Sequence, residues 1–274
     1  MSSLVERHEN LGWCSFNDEP MHCYKLSHLQ ITFYGALTEP SYLIAPRHIP
    51  HKASLYERSY YYDWNNNYPY KLYDGYPLDH HMEMPDVSWS HFVPDGAHVS
   101  IVGGARVNIS PSWININHLS DISDLRDPEQ LALFRLRAAA DGAKVYNDKE
   151  GALYPKCRDD LVVHHLKNRL WYEEIAGHIS VSPNYRFTTA LTEEHILTVT
   201  FHPTGHWEQG TLPSPELREK VFRSFWAFMD GLSIIEDPAL QTVEPGVHGY
   251  NSCIDGEAVE DSGWLGEVSD DSAW

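Results

Sequence analysis

Side chains that could hold a metal are the first residues in this sequence with chemistry to offer. His81-Met82-Glu83 sets an imidazole and a carboxylate two positions apart, a spacing that a strand turns to one side. Such a pair supplies two of the three ligands of a 2-His-1-carboxylate iron site, and His178, opening "HISVSPNYRF", could supply the third. Arg186 would then face the carboxylate of an oxo-acid cosubstrate. Two other groups compete. His202, His206 and Glu208 stand in "FHPTGHWEQG", where Pro203 and Gly205 favour a strand end and a turn over a helix. Cys14, His22, Cys23 and His28 are all ligand types, but their spacing fits no common zinc finger.

Over His81, Glu83, His178 and Arg186 the pattern resembles the iron/2-oxoglutarate oxygenases. The resemblance covers these residues alone, and implies Fe2+ and 2-oxoglutarate. It departs from the family pattern in the short interval between His178 and Arg186. It departs again at Pro85, which stands where the strand carrying the pair should continue. The commonest signals for other chemistries, G-x-x-x-x-G-K-[ST], G-x-G-x-x-G after a strand, G-x-S-x-G and H-E-x-x-H, do not occur.

The elements that must position these residues predict an α+β domain over 1–234, with an antiparallel sheet built from hairpins and about three helices. One helix follows the cap Asp127 and Pro128 and stops at Gly142. A second is expected in "DDLVVHHLKNRLWYEEIAG", between the caps Asp159 or Asp160 and the stop Gly177, placing His164 and His165 on a helix. The third opens at Ser214-Pro215 with an apolar stripe from Leu217 to Met229. Leu29 to Leu37 reads as a buried strand. His98 to Ile109 reads as two strands joined at Gly103-Gly104, and Tyr185 to Leu191 with His195 to Phe201 as a hairpin. Two segments have no period: an irregular Tyr- and Pro-rich insertion at 38–94 and an acidic C-terminal tail or docking segment at 235–274.

Composition narrows the partners. The 274 residues carry a net charge of −19, and no Lys or Arg follows Arg223. Such a surface repels phosphate backbones and anionic membranes, which disfavours sequence-specific nucleic-acid binding and membrane docking. "MSSLVERHENLGW" lacks a signal peptide's basic start and apolar run, so secretion by that route is not expected. Four cysteines without a C-x-x-C pair suit free thiols. Large rings with polar tips are typical of contact surfaces. Tyr61, Tyr62, Trp64, Tyr68, Tyr70, Tyr73 and Tyr76, with Trp264 and Trp274 in the tail, are therefore the expected partner-contact residues.

Together these features predict a non-enzymatic structural subunit of a multi-protein particle, oligomeric with other protein subunits and without a cofactor. A bacteriophage virion component of the neck, tail or connector fits best, located in the virion or the cytoplasm, because a carboxylate-lined conduit lets DNA slide. Two alternatives stand beside it. One is the iron-dependent oxygenase using His81, Glu83 and His178. The other is an acidic inhibitor that mimics nucleic acid, with carboxylates laid in a stripe on one rigid face.

Overall fold

The structure, a computed structural model, describes residues 11–13, 15–38, 49–57, 60–61, 79–82, 84–95, 97–144, 150–180, 183–205, 212 and 214–237. All lie within the compact unit Met1–Thr242. Among them are fourteen strands and two α-helices. The strands are β1 (Gly12–Trp13), β2 (Met21–Leu26), β3 (Leu29–Tyr34), β4 (Leu37–Thr38), β5 (Lys52–Ala53), β6 (Asp79–His81), β7 (Asp86–Asp95), β8 (His98–Ile114), β9 (Ala152–Leu153), β10 (Val162–Leu166), β11 (Arg169–His178), β12 (Asn184–Ala190), β13 (His195–Thr204) and β14 (Ser233–Glu236). The helices are α1 (Pro128–Ala143), between β8 and β9, and α2 (Pro215–Gly231), between β13 and β14.

Ten strands form an antiparallel sheet along the path β1-β7-β8-β13-β12-β11-β10, with β4 on β7, β6 on β8 and β9 on β11. The remaining four form a small sheet in the order β14-β3-β2-β5, where only β2 and β5 run parallel. Both helices begin as their sequences dictate. Asp127 accepts hydrogen bonds from the backbone N–H groups of Glu129 and Gln130, and Ser214 from that of Leu217. The apolar stripe of α2 packs against one face of the large sheet, with Phe225 centred 4.5 Å from Phe187 and 4.7 Å from Phe201. Phe228 lies between Trp89 of the large sheet and Phe33 of the small one, at 6.2 and 6.3 Å. A second core under α1 joins Leu131 and Phe134 to Ile114, Ile196 and Tyr172 on the opposite face.

The α+β expectation is overturned: the described residues are mostly antiparallel sheet, with two helices in place of about three. The missing helix is the β10–β11 hairpin, in which Leu166 pairs with Arg169 across Lys167-Asn168. Both turn residues have positive φ, 48° and 65°, as a two-residue hairpin turn matched to strand twist requires. The acids that resembled helix caps have a smaller task, since Asp160 accepts from the backbone N–H groups of Lys156 and Cys157 around a single 3-10 turn. Gly103-Gly104 is not a turn either. β8 runs straight through it, the turn lies between Asp95 and His98, and the glycines sit beside a β-bulge at His91/Phe92. A Cβ on Gly104 would stand 3.1 Å from the Trp89 carbonyl oxygen. The hairpin around Thr192-Glu193-Glu194 forms as β12 and β13.

The described parts of the 38–94 insertion belong to the fold itself. Ile49 and Leu55 are buried, and β7 places Val87 and Trp89 in the main core. At the other end, Ile235 and Glu236 of the expected tail pair with Gln30 and Leu29 as the last residues of β14.

Candidate functional site

The structure holds His81 and His178, two of the three expected metal ligands, apart. His81 lies on β6 opposite Ser112, whose Oγ is 2.7 Å from its Nδ1. Following the register through Ile196 and Ala190 leads to the Tyr172 end of β11, four strands away. His178 ends β11 on the far side of that strand, on the order of 20 Å further at about 3.3 Å per residue. Its Nδ1 is 2.7 Å from Ser180 Oγ. Glu83 lies outside the described residues. Arg186 sits on β12 with its guanidinium 3.7 Å from the Glu174 carboxylate. His22 is 2.9 Å from the Gly35 carbonyl oxygen, and Cys14 lies outside the described residues. Among the described residues no three His, Cys, Asp or Glu side chains gather to hold a metal ion.

Of the expected partner-contact residues, only Tyr61 is described. It is half-buried, donates to the Leu55 carbonyl at 2.6 Å and packs on the main core of its own chain. Burial pushes its hydroxyl well above the ordinary phenol range. Tyr62, Trp64, Tyr68, Tyr70, Tyr73, Tyr76, Trp264 and Trp274 lie outside the described residues.

The chemistry the fold does assemble is largely enclosed. Glu173 and Glu174 are neighbours on β11 and so face opposite sides of the sheet. Glu173 accepts from Arg218 of α2 and from His164 of β10, the latter at 2.8 Å. Arg218 in turn lies over the rings of Phe222 and Tyr185, at 4.2 and 5.2 Å. On the other face Arg135 of α1 grips both oxygens of Glu174, and both side chains are buried. Asp86 is held by Arg106 and by Asn108 along the same face. Nearby, His202 donates to Asn184 Oδ1 at 2.6 Å. Its pKa is pushed down to about 4, first by burial and then by the charges of Arg106 and Arg186. The helix expected over "DDLVVHHLKNRLWYEEIAG" hid this arrangement, because only in a strand do neighbouring glutamates take opposite faces.

One serine–histidine pair has the geometry of a nucleophile and base but not the access. Ser224 Oγ lies 2.7 Å from His91 Nε2, which also accepts from Trp89 Nε1 at 3.1 Å. Both side chains are fully buried, so the pair ties α2 to β7 beneath the core surface. His195 is equally enclosed. Its Nε2–H donates to the Leu55 carbonyl at 2.8 Å, and its Nδ1 accepts from the Thr192 hydroxyl at 2.8 Å. Burial lowers its pKa to about 4.

Exposed apolar residues gather at two margins of the large sheet. β13 ends opposite Gly104, so among the described residues the far part of β8 is paired on one side only, with β7, in an arm that β1 joins at Phe92. On that arm Val99 is 64% and Ile101 73% exposed, two positions apart and therefore on one face. The second margin is β10, where Val162 is 50% and Val163 41% exposed. Beside it opens a cleft of about 230 Å³ lined by Val162, Ile175, Tyr185 and Leu212, with Asp160, Glu173 and Arg218 at its polar side. β-Branched side chains left in water on projecting or unpaired strands offer contact area, at roughly 25 cal/mol per Å² once covered. Comparison with protein families, with characterised proteins and with solved structures finds no match to this chain.

Proposed function

We propose that the protein is a non-enzymatic structural subunit that works packed against other protein chains in a multi-protein particle. The arm carries this reading. Val99 and Ile101 are largely exposed among the described residues, at the end of an ordered ladder. Large apolar side chains held in that way are suited to a pocket on a neighbour. The burial of His91, Ser224 and His195 supports a structural use of groups that elsewhere do chemistry. A bacteriophage neck or tail is the setting that the charge of −19 suits, since it repels packaged DNA. The nucleic-acid-mimic alternative draws no support from the large sheet, where Asp86 and Glu174 are each paired with arginine.

The test is sedimentation of extracts from the native source, following the protein immunologically. The wild-type chain is expected in a fast particle fraction, and a Val99→Asp/Ile101→Asp variant outside it, in a slow fraction. A wild-type protein that itself runs as a lone chain there defeats the reading.

A further inference from the structure

We propose that two copies of this chain pair through β10, antiparallel about His164, so that their large sheets join edge to edge. This rests on the reading above and names the occupant of one surface as a second copy. β10 is the last strand on its side of the sheet path, and among the described residues no strand pairs with its outer edge. The two-residue turn determines which backbone groups face outward. Leu166 with Arg169, His164 with Trp171 and Val162 with Glu173 are the hydrogen-bonded pairs of such a hairpin, so Val163 and His165 direct their N–H and C=O groups away from β11.

A second β10 centred on His164 brings Val163 opposite the partner's His165 and His165 opposite the partner's Val163. Each of these pairs exchanges two main-chain hydrogen bonds. Edge strands are ordinarily guarded by lysine, proline, a bulge or an inward charge. Val162-Val163-His164-His165-Leu166 has none of these, and its register with β11 is unbroken.

The absence of charge also selects the occupant. A charged strand would lay its charges beside two valines and gain nothing, whereas a copy of β10 matches it in length, neutrality and alternation. Antiparallel pairing places Val162 beside the partner's Leu166. Asp160, just before the strand, then lies toward the partner's turn at Lys167-Asn168, away from the partner's own acids. A parallel arrangement would set acid against acid.

Light scattering on the purified full chain tests this, with His165→Pro and Val163→Lys beside the wild type. The proline removes an N–H that the chain's own ladder does not use, so its fold is expected to survive. The lysine adds the missing edge charge. The wild type is expected at twice the 31.4 kDa chain mass, and both variants at the single-chain mass with unchanged circular dichroism. Hydrogen exchange should show the Val163 and His165 amides slowing as concentration rises. A single-chain mass for the wild type, or a dimer that survives both variants, overturns the pairing. Neither result touches the arm, whose variant tests the proposed function alone.

Discussion

His195 shows how a chemically capable residue is spent on holding a chain together. Its ring bridges the Thr192 turn and the Leu55 carbonyl, and burial holds it neutral, with the proton on Nε2 facing Leu55. The folded-state pKa of about 4 lies below the ordinary 6.5, so protonation favours the unfolded chain. The stabilisation is therefore complete above about pH 6.5 and is lost as pH falls toward about 4, amounting to about 3 kcal/mol over the whole shift. The urea midpoint of the wild type is expected to fall steadily through that window. His195→Gln keeps a donor for Leu55 but does not titrate, and should lose less of its stability there. His202, shifted in the same direction, still titrates in the variant, so the slope is reduced and not abolished. A wild-type midpoint that stays level between about pH 6.5 and 5 would show that the ring is not held neutral.

Individual elements differ in how far the sequence reveals them, and the difference has a physical cause. The helices α1 and α2 carry local signals that nothing in the tertiary structure opposes: a cap, a proline in the first turn and an apolar stripe. The β10–β11 hairpin carries conflicting ones. Asp159 and Asp160 before a long run and Gly177 after it imitate helix ends, while the strand evidence is the pair Val162-Val163 and the turn-tolerant Asn168. That dipeptide is a weaker hairpin signal than Asn-Gly, yet Asn168 at φ 65° is the residue that makes the turn possible. Asn168→Val should cost about 1–2 kcal/mol, because a β-branched residue resists that region, whereas Asn168→Gly should be close to neutral. Thermal denaturation of the two variants measures this, and equal losses would count against the turn. The metal-site expectation failed at a different level. His81 and Glu83 were legible as a pair, but whether a third ligand arrives depends on the strand order of the sheet, which local spacing does not encode. The exposed arm was hidden for a related reason, since Val99 and Ile101 look like ordinary strand residues until β13 ends short of them.

At the scale of the molecule, charge decides where two copies can meet. Bodies carrying −19 each repel one another, and contact between them is cheapest where the surface is locally neutral and apolar. β10 is such a place: it has no charged side chain, and two of its valines are exposed. The bond there is made of main-chain hydrogen bonds and buried aliphatic surface, neither of which weakens as counterions accumulate. The opposing repulsion does weaken, because its range shrinks to about 8 Å at 0.15 M ionic strength. Dimerisation is therefore expected to strengthen as sodium chloride is raised from about 0.01 M to 0.15 M, the reverse of an interface held by opposite charges. Sedimentation equilibrium across that range reads the association constant directly. An association constant that instead falls with salt would mean that ion pairs hold the copies together, and that the neutral edge of β10 is not where they meet.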